Sequence, residues 1–294
     1  MRAAGLLFLL PLLAAPACVA APASLPADPS PVDDAAFQRD LAREVIDLHA
    51  KGRLTPVETL RGQLGRRTAR LRLPPAPDAP ACRDLAGVYA RARESVLVMC
   101  ELYKCGKCSE WHVSCSSCFA VAPDVVVLNH HAFTTNRSAG ITAAMAVASA
   151  DGRIFPVREV LAASPADDAA AVRIEGGPLR PLPLAPDAPA GSGVAVVSHP
   201  AGMFYALTRG IVSRHFIEGG GRKGPRAARM AITADFAKGS SGGPVFNDAG
   251  AVVGMVASTR SIYYDEKDGD PRNLQMVLKS CVPARSILAL FAPP

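Results

Sequence analysis

The stretch KGSSGGPVF, residues 238–246, combines turn-forming residues with the start of an apolar run. Ser241 lies among three glycines and a proline, directly before Val245 and Phe246. Glycine lacks Cβ, so a turn here can take positive φ values and point successive backbone N–H groups into one small space. A hydroxyl nucleophile needs such donors, because its attack on a carbonyl builds negative charge on the carbonyl oxygen. The stretch predicts a nucleophile loop; the competing interpretation is a flexible Ser/Gly turn between strands.

A serine hydroxyl is inert at neutral pH unless a base removes its proton, so this interpretation requires a histidine. Residues 129–132, Asn-His-His-Ala, close an apolar run and place an imidazole where a strand ends. Adjacent strand residues face opposite sides, so only one of His130 and His131 can point at the serine, and spacing alone does not choose between them. We expect structural roles for His199 and His215, which lie along predicted strands.

The imidazole in turn needs an acceptor on its other nitrogen, which holds the productive tautomer and offsets the developing charge. Asp167 and Asp168 follow a polar turn and precede the apolar residues 169–172. Asp168 opens the strand and is the candidate acceptor, whereas Asp167 fits a solvated turn acid.

These segments resemble the chymotrypsin/trypsin-like serine proteases. Residues 239–244, Gly-Ser-Ser-Gly-Gly-Pro, match the family's Gly-x-Ser-Gly-Gly-Pro loop. Residues 127–132 resemble its strand-Thr-Asn-x-His-Val/Ala segment, and residues 168–172 resemble its Asp-Leu-Ala-x-Leu segment with Ala169 in place of the usual leucine. The histidine lacks the neighbouring cysteine of animal digestive members, so the resemblance is closest to bacterial high-temperature-requirement-like members, here without a PDZ domain. It covers about residues 95–291.

The resemblance implies a catalytic triad of Ser241 as nucleophile, His131 as base and Asp168 as the acceptor. It also implies that the N–H groups of Gly239 and Ser241 form the oxyanion hole. The expected mechanism is peptide-bond hydrolysis through an acyl-enzyme, which needs no cofactor. Protein or peptide substrates are the expected partners.

The resemblance also suggests a substrate pocket. In this family the residue six positions before the nucleophile lies at the base of the pocket that receives the substrate side chain, and here that residue is Asp235. A buried carboxylate would pair with a substrate arginine or lysine, because an uncompensated charge in a pocket is costly. The alternative is an apolar pocket lined by Phe236 and Met255, with Asp235 closing a turn.

The start of the chain has the pattern of a secretory signal peptide. Arg2 supplies a positive start, residues 5–13 an apolar core and residues 14–23 a tail of small residues. The apolar core is too short to span a membrane as a helix. We therefore expect a signal peptide over residues 1–21 and a secreted or periplasmic protein without a transmembrane anchor; Cys18 leaves a lipoprotein as the alternative.

Residues 22–94 predict a helical N-terminal extension with a Pro-rich linker. Its second helix is expected to start at Thr55 and run to about Arg72. The extension carries no recognisable chemistry; it either packs on the back of the catalytic body or acts as a pro-region.

From residue 95 onward, short apolar runs broken by Gly, Pro and Asp are typical of an all-β barrel or sandwich. With the family resemblance, the expected fold is two six-stranded antiparallel β-barrels. Barrel one should cover residues 95–178 and barrel two residues 190–283, followed by a C-terminal helix.

The cysteines allow two interpretations. Eight are present, and without Cys18 seven remain; export favours disulfides, and an odd number leaves at least one thiol free. The pairs Cys105/Cys108 and Cys115/Cys118 have the spacing of two zinc knuckles, which predicts a structural zinc ion held by four thiolates. A second possible ligand set is Cys100, Cys105, Cys108 and His112. The sequence leaves zinc and disulfides equally open.

Composition excludes few functions. The chain is 49% hydrophobic and 20% charged, and its 294 residues suffice for one large core or two small ones. The net charge is +6, but the basic stretches 61–72 and 222–229 lack the interleaved aromatics of nucleic-acid readout, so no nucleic acid partner is expected. Beside the endopeptidase stand two alternatives: a catalytically silent homologue with a binding or chaperone-like role, and an ester hydrolase using the same triad.

Overall fold

The computed structural model describes residues 31–76, 85–134, 140–186, 188–220, 224–267 and 270–294. The predicted signal peptide, including Cys18, lies outside the described residues. Before the barrels come α1 (Asp34–Ala50), α2 (Val57–Arg61), β1 (Ala69–Arg70) and α3 (Leu85–Ser95).

Barrel one is built from six largely apolar strands. They are β2 (Val96–Cys105), β3 (Trp111–Ala122), β4 (Val125–Leu128), β5 (Gly140–Ala148), β6 (Ile154–Ser164) and β7 (Ala169–Ile174), with helix α4 (His131–Thr134) after β4. The strands close in the order β2-β3-β4-β7-β6-β5, and all pairings are antiparallel. Because a strand alternates its faces, one set of side chains fills the barrel, including Leu97, Met99, Val126 and Met145.

Barrel two has the same architecture. Its strands are β8 (Gly193–Ser198), β9 (Ala206–Glu218), β10 (Ala227–Ile232), β11 (Pro244–Asn247), β12 (Val252–Lys267) and β13 (Asp270–Pro283), followed by α5 (Ala284–Leu288) and β14 (Phe291–Ala292). They close in the order β10-β13-β12-β11-β8-β9. The two closed six-stranded barrels confirm the predicted all-β fold class.

The N-terminal extension packs on both barrels. In α1, the ring of Phe37 meets the ring of Phe204 edge-on at 4.8 Å, and the Asp34 carboxylate accepts the backbone N–H of Phe204 at 2.9 Å. At the other end of α1, His49 meets Trp111 of β3 at 4.6 Å. The extension thus contributes to the hydrophobic core that the two barrels share. Among the described residues, no helix combines the length and apolar character required for crossing a membrane.

The second helix is shorter than predicted. It ends at Arg61 rather than near Arg72, because residues 69–70 pair in parallel with residues 291–292 of β14. The N–H of Ala69 donates to the carbonyl of Leu290 at 2.8 Å, a bond that a continued helix would not allow. Sequence propensity favoured the helix, and this contact with the distant C-terminus overrides it.

Candidate active site

The predicted base and acceptor are in contact. His131 begins α4, directly after β4, and Asp168 lies in the turn between β6 and β7. Asp168 Oδ2 lies 2.8 Å from His131 Nδ1, and Asp168 Oδ1 accepts the backbone N–H of His131 at 2.9 Å. An ionised carboxylate can only accept, so the contact favours the tautomer with the proton on Nδ1 and keeps Nε2 as the basic nitrogen.

Backbone conformation and a neighbouring amide hold Asp168 in place. Its φ is +60°, in the left-handed region that aspartate tolerates better than most residues. The Nδ2 group of buried Asn129 donates to the Asp168 carbonyl at 3.1 Å and to Oδ2 at 3.2 Å. Asn129 is the asparagine of the Asn-x-His segment, but the motif alone does not predict its hydrogen bonds to Asp168.

Asp167 and His130 each precede a member of the predicted pair in sequence, but their surroundings differ from those of Asp168 and His131. Asp167 Oδ2 accepts the hydroxyl of Ser164 at 2.7 Å, and its Oδ1 accepts the hydroxyl of Ser286 at 2.9 Å. Asp167 therefore ties its turn to α5 instead of contacting His131. Burial lowers the pKa of half-buried His130.

The candidate nucleophile faces the same cavity as the candidate base. Ser241 lies in the loop between β10 and β11, and it lines a cavity of about 210 Å³ together with His131. Ser241 Oγ lies 3.2 Å from the carbonyl oxygen of Ala257, to which it donates. A hydroxyl has a single hydrogen, so in this rotamer Ser241 cannot also donate to His131.

The glycines of the loop are required by close approaches of backbone. Gly239 has φ +98°, and a Cβ there would lie 2.4 Å from the carbonyl oxygen of His199. The turn is closed by the bond from the Gly243 N–H to the Ser240 carbonyl at 2.9 Å. The N–H groups of Gly239 and Ser241, the predicted oxyanion hole, donate no hydrogen bond to another residue in the part of the chain that the structure describes.

Ser117 of β3 docks this loop onto barrel one. Its N–H donates to the Ser241 carbonyl at 2.9 Å and its hydroxyl donates to the Gly239 carbonyl at 3.0 Å. The same hydroxyl accepts the N–H of His199, in barrel two, at 3.1 Å. No sequence motif marked Ser117, because its role depends on contacts between residues more than 80 positions apart in the chain.

His199 has the structural role expected for it. Its ring is buried, with Nδ1 accepting the N–H of Tyr205 at 3.0 Å and Nε2 lying 3.2 Å from the carbonyl of Leu97. This pattern requires the neutral ring with its proton on Nε2. Burial lowers the pKa of His199 to about 4, so the ring stays neutral at neutral pH.

The structure contradicts the pocket predicted at Asp235. The side chain of Asp235 is 83% exposed and pairs with Lys279 Nζ of β13 at 2.6 Å. It does not line the cavity shared by His131 and Ser241. The count of six residues is correct, but the loop between β10 and β11, which carries Asp235, turns this carboxylate to the surface. The alternative candidates Phe236 and Met255 are buried in the cores of barrel two and of the barrel interface.

The four cysteines of the predicted zinc site, Cys105, Cys108, Cys115 and Cys118, do not lie together in the structure. Cys118 is buried beside the Leu97 carbonyl, 3.6 Å away, and Cys115 pairs across the strands with Cys100. At the hairpin tip, Cys105 and Cys108 instead lie close to His112. Strand geometry explains why the two pairs of cysteines are apart, because Cys115 and Cys118 lie along β3, away from the hairpin tip. In the structure none of the six described cysteines forms a disulfide.

Comparisons with known proteins agree with this architecture. Residues 116–255 match the family model of the trypsin-like peptidase domain. No curated protein sequence matches this chain.

Two solved structures with the same fold illustrate the likeness. The HtrA-type protease AlgW with a decapeptide is 20% identical, with a TM-score of 0.53, covering 71% of this chain and 66% of AlgW. This chain thus spans somewhat less than two thirds of the AlgW chain. The Rv3671c protease from M. tuberculosis, in its active form, is 22% identical with a TM-score of 0.53, covering 78% of this chain and 94% of that one. At such identities the likeness concerns the fold. Together with the family match over residues 116–255, it confirms the resemblance of this chain to the trypsin-like serine proteases.

Proposed function

We propose that this protein is a serine endopeptidase that hydrolyses peptide bonds in an extracytoplasmic compartment. The observation that carries the proposal is the 2.8 Å contact between Asp168 and His131 beside a cavity that Ser241 also lines. A hydroxyl, an imidazole and an orienting carboxylate around one cavity are the groups that acyl transfer requires.

In the proposed mechanism, Ser241 Oγ attacks the peptide carbonyl while His131 Nε2 takes its proton. Asp168 holds the imidazole through Nδ1 and stabilises the imidazolium that forms. The N–H groups of Gly239 and Ser241 donate to the oxyanion, because they have no other partner among the described residues. His131 then protonates the leaving amine, and water releases the acyl-enzyme. The proposed steps use side chains and backbone N–H groups of this protein together with water.

The Ser241 rotamer adds one requirement. Its hydroxyl must leave the Ala257 carbonyl and turn toward His131 before it can attack. This hydrogen bond is also the observation that favours a second candidate, a silent homologue that binds peptides without cleaving them. The two candidates differ in whether the hydroxyl is reactive.

A fluorophosphonate probe separates the candidates, because it labels only an activated serine. The expected result is that the wild type is labelled and cleaves casein, and that Ser241→Ala does neither. Ser240→Ala is a matched control, since Ser240 is the adjacent hydroxyl of the same loop and is fully buried. A folded wild type that neither reacts with the probe nor cleaves casein would support the silent homologue. Ester turnover without protein cleavage would support the ester hydrolase.

We infer export of this protein from the apolar segment at residues 5–13 and the tail of small residues that follows it. Edman sequencing of protein recovered from outside the cytoplasm is expected to begin near residue 22. An N-terminus at residue 1, in protein that stays in the cytoplasm, would contradict this part of the proposal.

A further inference from the structure

We infer that Cys105, Cys108 and His112 bind a zinc ion at the tip of the β2–β3 hairpin. The two sulfur atoms lie 3.1 Å apart, and His112 Nε2 lies 3.2 Å from Cys105 Sγ and 3.0 Å from Cys108 Sγ. Within the described residues, this is the one group of three potential metal ligands whose donor atoms all lie within 4.8 Å of one another. Three donor atoms therefore converge on one point at the end of the hairpin.

The donor set selects the metal. Two thiolates and one imidazole suit zinc, whereas Mg²⁺ and Ca²⁺ prefer oxygen ligands. Zinc prefers four ligands, so three described ligands leave one position for water or another donor. Cys108 is exposed, so an ion can reach the group from solvent.

The location gives the ion a role that is separate from the triad. His112 lies two positions before Ser114, which lines the cavity shared by His131 and Ser241. Its ring also packs on the ring of Tyr103, across the hairpin, at 5.4 Å. An ion here would hold the end of the hairpin whose stem forms one wall of the cleft, without touching the reacting groups.

The competing state is a disulfide between Cys105 and Cys108. The 3.1 Å separation of their sulfurs is well above the S–S bond length of about 2.0 Å, but an oxidising compartment favours the bond. The two states are exclusive, because a disulfide has no thiolate to offer a metal.

Metal analysis of the purified full-length protein decides between them. The expected result is about one zinc per chain in the wild type, with less than about a tenth of that in Cys105→Ser and in Cys108→Ser. His112→Ala, which keeps both thiols, should lower zinc affinity more than about tenfold, measured by competition with a chromophoric chelator. Cys115→Ser is the control from the same hairpin and should keep its zinc.

Replacement of zinc by Co²⁺ gives a readout that does not depend on activity. The sulfur-to-cobalt charge-transfer band should appear in the wild type and in Cys115→Ser, and fall below about a tenth of the wild-type intensity in Cys105→Ser, which no longer holds the ion. Wild-type protein without zinc whose Cys105 and Cys108 resist alkylation until reduced would overturn the inference. So would equal zinc loss in Cys115→Ser. The fluorophosphonate result is independent of all these measurements.

Discussion

The carbonyl oxygen of Ser117, in barrel one, would lie 1.9 Å from a Cβ placed on Gly242, in the nucleophile loop of barrel two. Gly242 also has φ +87°, and its N–H donates to the Val256 carbonyl at 3.0 Å. Glycine is therefore required at position 242 for two reasons: the backbone has a positive φ, and the backbone of the other barrel comes too close for a Cβ. This close approach allows Ser117 to hold the Ser241 carbonyl.

Gly242→Ala should separate the loop from barrel one. The collision is with backbone, which cannot move aside as a side chain can, so Ser241 should shift by a sizeable fraction of an ångström. We expect kcat/KM to fall by at least about 100-fold. The matched control is Gly152→Ala, because Gly152 has a similar φ of +82° but no atom within 4 Å of the added Cβ. The control should cost only about 1–2 kcal/mol in the free energy of unfolding, with activity retained. Equal activity loss in both variants would mean that strain, and not docking, matters.

Asp168→Asn should leave the protein folded but slow. The amide offers His131 Nδ1 either a donor or a weaker neutral acceptor, so the productive tautomer is no longer held. We expect kcat to fall on the order of 10⁴-fold, measured on a peptide substrate, with KM changed little.

The control for this prediction is Asp167→Asn. That variant weakens two hydrogen bonds, from Ser164 and Ser286, and should lower the free energy of unfolding by about 1–2 kcal/mol with kcat within a few fold of wild type. If Asp167→Asn were the slow variant, the assignment of the triad acid would be wrong.

His199 should make stability fall in mild acid. Its pKa lies near 4 in the folded protein, below the ordinary value of about 6.5, because burial penalises the charged ring. Between these two pKa values His199 binds more protons in the unfolded chain than in the folded protein. The contribution of His199 to stability is therefore complete above about pH 6.5 and is lost as the pH falls toward 4. The expected loss is on the order of 3 kcal/mol in the free energy of unfolding.

Urea unfolding at pH 7.5 and pH 4.5 checks this. His199→Gln offers an acceptor and a donor for the Tyr205 N–H and the Leu97 carbonyl, and it has no proton to gain. The difference in stability between the two pH values should therefore shrink by most of the predicted amount relative to wild type, even if the variant is less stable at both. An unchanged difference would assign the acid sensitivity to other groups.

Asp235→Ala should not change substrate preference. The carboxylate is on the surface, where an ion pair such as that with Lys279 contributes about 0–1 kcal/mol. The ratio of kcat/KM for Arg and Leu substrates should stay within about twofold of wild type. A selective loss on Arg substrates would restore Asp235 to the pocket.

The sequence was sufficient for the fold class and, through the family resemblance, for naming His131 and Asp168 as candidates. Both depend on local patterns: short apolar runs broken by turn residues define the strands, and each candidate site residue is placed at a strand end or in a turn. Loops on a rigid scaffold carry reactive groups, so a residue that closes a strand can be assigned a place before the tertiary structure is known.

The errors have a common physical cause. The α2 helix was predicted too long because its pairing with β14 cannot be seen in its own sequence. Asp235 was assigned to the pocket by counting residues back from Ser241, but the direction of its side chain depends on the fold of the loop between β10 and β11. The four cysteines likewise share a spacing, but the β2–β3 register separates them: Cys100 faces Cys115, while Cys105 and Cys108 lie at the tip.

By itself, the sequence determined the chemistry available to this protein: a hydroxyl in a glycine-rich turn, an imidazole at the end of a strand and an acid at the start of another. Only the tertiary structure decided which of these groups meet. Ser117, Asn129 and His199 act through bonds to residues far away in the chain, and the choice of Asp168 over Asp167 follows from the direction of one turn. The physical reason is that local propensity is encoded within a few residues, whereas a contact between barrels depends on how two closed sheets pack against each other.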